Sequence, residues 1–173
     1  VFVHIRSVGA TEPGSSIESV SEMIAASAVS GAPVHIVHVN SSCIGQAPDC
    51  LAMIAGARER GLDVTVEAYP YGAGMTSIAS ALFNPGWREK RGIDYSAIEI
   101  PATGERLTQQ RFDALHNSAT PEYVLIHMNP DSVVEAIIEQ MANAGAKVVV
   151  SSRKADACEA VRAEFAARGR EAI

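Results

Sequence analysis

The stretch APVHIVHVNSS, Ala32 to Ser42, is a short apolar run that carries two histidines and ends in polar residues. A second run of this kind, VFVHIR, occupies Val1 to Arg6. β-Branched residues at this density favour buried strands. The sequence therefore predicts strands over Val1–Ile5 and Val34–Val39, the second of which brings His38 to its carboxyl end.

Strand and helix patterns alternate outward from that stretch. Ser15 and Glu18 form a capping box before a helix that Gly31 ends. A helix capped by Asp49 then leads to a third strand, Leu62–Ala68. A repeat of about 30 residues per βα unit predicts right-handed crossovers and a parallel sheet, either open or closed as a barrel.

Residues 75–121 interrupt this rhythm, because they are rich in Gly, Pro and isolated aromatic residues. They predict one helix, Leu107–Asn117, within an insertion or lid beside an active site; a solvated connection without a chemical role is the alternative. The rhythm then resumes and brings the predicted total to five parallel strands. The later elements are a strand at Tyr123–His127, a helix capped by Asp131, a strand at Lys147–Ser151 and a helix at Ala155–Arg168.

Length and composition limit the class of protein. With 173 residues, 47% hydrophobic and 20% charged, the chain has room for one globular domain or part of a larger one. A net charge of −6 disfavours a nucleic-acid or anionic-membrane surface, and no apolar run approaches the ~20 residues of a membrane span. The cysteines form no CxxC motif, which favours a reducing compartment, the cytoplasm.

His4 and His38 end the first two predicted strands and lie 34 residues apart, one βα unit. Carboxyl ends of parallel strands meet at one edge of a sheet, so we expect the two side chains to be neighbours. Imidazoles from adjacent strands are a common start of a Zn²⁺ site. A packed strand histidine is the alternative, and we interpret His35, on the opposite face, in that way.

The motifs VHIVHVNSS, ARERGLDVTVEAYPYGAG and TGERLT, within residues 1–139, resemble together the amidohydrolase superfamily, and more narrowly its N-acyl-D-amino-acid deacylase (D-aminoacylase) group. The resemblance implies an α/β fold, part of a TIM-like (β/α)₈ metal-dependent hydrolase barrel. It implies that His4 and His38 are Zn²⁺ ligands, that Tyr69 contacts the substrate carboxylate, and that the substrate is a small N-acyl amino acid. Arg6 and Asn40, each two residues after a histidine, are further substrate-binding candidates.

The sequence departs from that group at three places. The HxH pair and the next metal ligand of the group have no counterpart in these residues, and Met75 stands where related deacylases have a substrate-binding Ser. Ser152 stands where the group has its catalytic Asp, and Ser cannot act as a base at neutral pH. We therefore assign no catalytic residue and expect little deacylase turnover from this chain alone, with His127 and Asp156 as the remaining candidates for a base.

Residues 140–173 resemble a Rossmann-like βα unit of a short-chain dehydrogenase, fused to the partial barrel. In that family the Ser-Arg after the strand contacts the 2′-phosphate of NADP, which implies a cofactor role for Arg153. The expected glycine-rich turn is missing from Asp131–Glu135, and no Tyr-x-x-x-Lys pair occurs. An NADP-binding oxidoreductase fragment and a non-catalytic fragment remain alternatives to the hydrolase.

An incomplete barrel leaves sheet edges without a neighbour, and such edges are templates for another chain. Val1–Ile5 is apolar on both faces. We therefore predict self-association through this edge or marginal stability, and we expect Lys at Val3 to reduce the association.

Overall fold

The computed structural model of the protein describes residues 1–10, 12–143 and 155–169. Two sheets with surrounding helices make up these residues. The strands are β1 Phe2–Val3, β2 Val34–Ile36, β3 Val64–Val66, β4 Ala73–Ser77, β5 Ile98–Ile100, β6 Glu105–Arg106 and β7 Tyr123–His127. The helices are α1 Ser16–Ser30, α2 Val39–Ser42, α3 Ala47–Glu59, α4 Trp87–Arg91, α5 Gln109–His116, α6 Asp131–Asn143 and α7 Ala155–Ala167.

The first sheet is parallel, with β2 between β1 and β3. Phe2 is in register with His35, and Val34 with Val64. Its apolar side chains form one buried cluster with α1 and α3, which includes Ile36 and Val20. The predicted parallel βαβαβ unit is confirmed over these three strands, and its carboxyl edge is where His4 and His38 lie.

Local chemistry explains where the first helices begin. The amide of Glu18 donates to the Ser15 hydroxyl over 3.1 Å and the amide of Ser15 donates to the Glu18 carboxylate over 2.9 Å, which confirms the capping box. The predicted cap at Asp49 is wrong, because α3 already begins at Ala47. Pro48 has no amide proton to be capped and its fixed φ suits a first turn, so the helix starts before Asp49.

The second sheet is antiparallel, in the order β4-β7-β5-β6. Its core contains Phe83, Trp87 and Phe112, so the segment 75–121 is a folded unit and not a solvated connection. The predicted helix within it is confirmed as α5. The prediction of five parallel strands is wrong, since β7 pairs antiparallel with both β4 and β5. Along β7, buried Val124 and Ile126 alternate with more exposed neighbours, a pattern typical of an antiparallel sheet with one covered face.

A side-chain hydrogen bond and helix α6 connect the two sheets. The Asn129 side chain, after β7, donates to the backbone carbonyl of Asn40 over 2.9 Å. Within the second sheet, the amides of Met128 and Asn129 donate to the carbonyl of Gly72, the residue before β4, over 2.9 and 3.1 Å and extend the pairing of β4 with β7. Ile137 of α6 also joins the core of the first sheet. The second sheet is therefore fixed beside the carboxyl edge of the first.

The predicted strand Lys147–Ser151, together with Ser152 and Arg153, lies outside the described residues. The dehydrogenase-like unit and its NADP site therefore stay predictions, although α7 occupies the span expected for its helix. Within the described ranges, no helix has the length and apolarity needed to cross a membrane.

Candidate metal site

His4 and His38 contact each other at the carboxyl edge of the parallel sheet. His4 directly follows β1, and His38 lies two residues beyond β2. The centroids of their rings are 4.8 Å apart and the ring planes meet at 69°. The structure therefore brings together the two histidines that the sequence places on neighbouring strands.

The backbone of His38 has an unusual conformation that ends β2 earlier than predicted. Its φ of 39° and ψ of 58° lie in the left-handed region, which costs a non-glycine residue of order 1–3 kcal/mol. The amides of Ser41 and Ser42 each donate to its carbonyl over 3.0 Å, and the amide of Val39 donates to the backbone carbonyl of Glu67 over 2.8 Å. These bonds hold a strained residue at the site, as is common where a side chain has a functional role.

The ring nitrogens of the two histidines have different partners. His4 Nδ1 lies 2.9 Å from the carbonyl oxygen of Ile5, which can only accept, so Nδ1 carries the proton and Nε2 of the neutral ring keeps its lone pair. His38 Nδ1 lies 3.0 Å from the Ser41 hydroxyl and 2.9 Å from the Ser42 hydroxyl. Among the described residues, neither Nε2 atom has a hydrogen-bond partner, so both are available to a ligand.

Burial lowers the pKa of His38 below its ordinary value, and the neighbouring charge of His4 lowers it further. Desolvation and a like charge both disfavour the imidazolium form. The neutral form, which is the form that binds metals, is therefore favoured at neutral pH.

The donor set is suited to zinc but incomplete. Zn²⁺ accepts neutral imidazole nitrogen, and its catalytic sites use three protein ligands. Within the described part of the chain, no group of three or more His, Cys, Asp and Glu side chains is arranged to hold a metal ion. His4 and His38 therefore fit as two ligands of a larger set.

Tyr69 lies next to this pair. Its ring centroid is 6.3 Å from that of His38. The buried side chain of Asn40 donates to the Tyr69 carbonyl over 3.0 Å and accepts from the Tyr69 amide over 3.2 Å. A side chain at Gly74 would come within 3.3 Å of the Tyr69 hydroxyl, so this glycine leaves room for the ring. Asn40 thus fixes Tyr69, and direct contact of Asn40 with a substrate stays a prediction.

Arg6 points to α1 in this structure. Its Nε donates to Glu22 over 2.5 Å, and more than half of its side chain is exposed. A contact between Arg6 and a substrate would require this exposed ion pair to open, which costs little because exposed pairs are worth at most about 1 kcal/mol.

Comparison with solved structures agrees with this geometry. N-acyl-D-glutamate deacylase from Bordetella bronchiseptica, solved with zinc and a phosphonate inhibitor, covers 80% of this chain with a TM-score of 0.58 and 18% identity. A D-aminoacylase structure described as defining a subset of amidohydrolases covers 79%, with a TM-score of 0.53 and 19% identity. Another, from work on the binuclear metal center of D-aminoacylase, covers 78%, with a TM-score of 0.52 and 17% identity.

The chain has the fold of part of a D-aminoacylase-type amidohydrolase. It spans about 30% of the length of those proteins. No protein-family model matches the sequence, and no curated protein does either. The group that the sequence motifs resemble is the group whose fold the chain shares.

His127 lines a cleft whose lining includes neither His4 nor His38. This cleft has a volume of about 540 Å³, and Tyr71, Asn129 and Glu135 line it as well. The Nε2 atom of His127 is 3.1 Å from Glu99, a carboxylate that also accepts from Arg106 over 3.1 Å. Asp156, the other candidate for a base, is exposed at the start of α7.

Two further side chains near the site, those of His35 and Cys43, pack against their neighbours. His35 packs as expected, with its ring 4.9 Å from that of Phe2 and its Nδ1 2.8 Å from the Thr65 hydroxyl. Cys43, five residues after His38, is buried and forms a hydrogen bond with Cys50. The hydrogen bond to Cys50 and burial raise the pKa of the Cys43 thiol, so this thiol is unreactive.

Sequence reasoning missed the role of two groups of residues. The sequence assigns no role to Ser41 and Ser42, whereas the structure places both hydroxyls on His38. Glu99, which contacts His127, is the other residue without a predicted role. Its position between two buried isoleucines of β5 was the available signal, since it puts the carboxylate on the more exposed face of that strand.

Proposed function

We propose that this chain is part of a metal-dependent hydrolase that cleaves the amide bond of N-acyl-D-amino acids, with Zn²⁺ as its metal. The observation that carries the proposal is the contact between His4 and His38 at the ends of neighbouring parallel strands. Two observations support it. The fold is shared with D-aminoacylases, and one neighbour of this fold was solved with zinc.

The metal would be held through Nε2 of His4 and of His38. A zinc ion bound there would supply polarisation of the amide carbonyl and acidification of a water molecule. In this proposal the Tyr69 hydroxyl binds the substrate carboxylate, and Asn40 keeps Tyr69 in place through its two backbone hydrogen bonds. Arg6 supplies a positive charge for the same carboxylate once its guanidinium leaves Glu22.

Glu67 is the carboxylate whose charge acts on His38, and its oxygen lies 3.4 Å from Nε2 of His35. His127 lines a cleft that includes neither histidine of the pair, and Asp156 lies at the exposed start of α7. We therefore expect slow turnover from this chain even when it binds substrate and metal. A cytoplasmic location is also proposed, and the free thiols of Cys43 and Cys50 support it.

The test is a comparison of enantiomers. The zinc-loaded chain is titrated with N-acetyl-D-glutamate and N-acetyl-D-methionine and with their L enantiomers, and binding is followed by NMR while released amine is quantified by chromatography. We expect saturable binding that favours the D forms and is weakened in Tyr69→Phe, with little amine released. Equal binding of both enantiomers, or no binding of either, contradicts the proposal.

A further inference from the structure

Two hydroxyl groups meet one ring nitrogen of His38. The Ser42 Oγ lies 2.9 Å and the Ser41 Oγ 3.0 Å from His38 Nδ1. Each hydroxyl also has a backbone carbonyl in reach. Ser41 donates to the carbonyl of His38 over 3.2 Å, and Ser42 to that of Val37 over 3.5 Å. The position of one proton on the ring decides whether all of these groups are satisfied together.

Counting donors and acceptors separates the two neutral forms of the ring. With the proton on Nδ1, the ring donates to both hydroxyl oxygens, and each hydroxyl donates onward to its carbonyl. With the proton on Nε2, Nδ1 has a single lone pair and accepts from one hydroxyl only. The oxygen of the other hydroxyl then lies at hydrogen-bond distance from Nδ1 without a hydrogen between the two atoms. The second form therefore makes only one of the two ring–hydroxyl hydrogen bonds, in a place where Ser42 is buried and His38 is partly buried.

We infer that Ser41 and Ser42 fix His38 in the tautomer with the proton on Nδ1 and the lone pair on Nε2. They are positioning residues for the metal of the proposed function, on which this part of the inference rests. His4 reaches the same tautomer by a different route, through the carbonyl of Ile5. Both rings of the pair thus have a free Nε2 lone pair before any metal arrives, His38 through the two hydroxyls and His4 through the Ile5 carbonyl.

The experiment reads the tautomer directly in the chelator-treated protein, without metal. Long-range ¹H–¹⁵N NMR spectra of histidine-labelled protein at pH 8 show which ring nitrogen carries the proton. The variants are the double variant Ser41→Ala/Ser42→Ala and the single variant Ser41→Ala, whose lost hydroxyl is only partly buried. Ser27→Ala is the matched control, because Ser27 is buried and donates to a carbonyl over 2.9 Å but touches no imidazole.

We expect His38 of the parent and of Ser27→Ala to carry its proton on Nδ1, and the double variant to shift towards Nε2–H. Zinc affinity, measured by calorimetry, should fall about 10–100-fold in the double variant, the usual effect of removing a partner that orients a metal ligand. Ser41→Ala should shift the tautomer in the same direction. If circular dichroism shows that the double variant is unfolded, this single variant takes its place in the test.

A parent with the proton on Nε2, or a folded variant with an unchanged tautomer, overturns the inference. A parent that shows the expected tautomer without affinity for zinc contradicts the proposed function alone. The experiment therefore tests the tautomer of His38 and the binding of zinc separately.

Discussion

At the scale of single residues, the site depends on which form of His38 is stable. Its partial burial and its contact with His4 both lower its pKa. In the unfolded chain the imidazole titrates near its ordinary value of about 6.5. As the pH falls through that value, the unfolded chain takes up the proton first, so the free energy of unfolding falls until the folded ring is protonated as well.

We expect NMR titration of the metal-free chain to give His38 a pKa below the ordinary value. His4→Gln should raise it part of the way, because the neighbouring charge is removed whereas burial, the larger cause, remains. His116→Gln on α5 is the control and should leave it unchanged. A pKa of His38 at or above the ordinary value, or one insensitive to His4→Gln, would refute this electrostatic description.

At the scale of elements, the loop between β1 and α1 connects the two sheets. Gly9 in this loop has a φ of 153°, and a Cβ at this position would lie 2.8 Å from the backbone carbonyl oxygen of Lys90 on α4. Backbone cannot move aside as a flexible side chain can. Only glycine therefore permits this approach of the loop to α4.

Gly9→Ala should lower the free energy of unfolding by roughly 1–3 kcal/mol, as overpacking usually does. Gly45→Ala is the matched control, because no atom lies within 4 Å of a Cβ there, and a change within about 0.5 kcal/mol is expected. Urea denaturation measures both. Equal unfolding midpoints for the two variants would show that the loop does not press on α4.

The sequence predicts an element well when the residues that determine it are close together in the chain. The start of α1 is predicted because Ser15 and Glu18 interact within one turn. The pair of His4 and His38 is predicted because parallel strands align their ends. The direction of β7 is not, since β4 and β5 set it from distant parts of the chain. Likewise, the bonds from Ser41 and Ser42 to His38 depend on a left-handed backbone that no local pattern signals.

At the scale of the whole molecule, β1 is an edge of the parallel sheet. Among the described strands it pairs with β2 alone, and Phe2 on it is 79% exposed. Val3, where the sequence suggested a Lys to block association, packs against the core, so a charge there would disrupt folding. The exposed position suited to that test is therefore Phe2.

Sedimentation velocity should show concentration-dependent association of the parent and less of it in Phe2→Lys, because a charged edge strand resists pairing. Val29→Lys is the matched control, since Val29 is 90% exposed but lies on α1, away from any sheet edge. A parent that stays monomeric, or a Val29 variant that reduces association equally, argues against edge pairing.

The central claim is that His4 and His38 bind one metal ion together, and a calorimetric titration with Zn²⁺ tests it most directly. The parent, His4→Gln/His38→Gln and the control His116→Gln are titrated under one set of conditions after treatment with a chelator. We predict one saturable zinc site in the parent and in His116→Gln, and no such site in the double variant. Equal zinc binding by the parent and the double variant, or none by the folded parent, would contradict it.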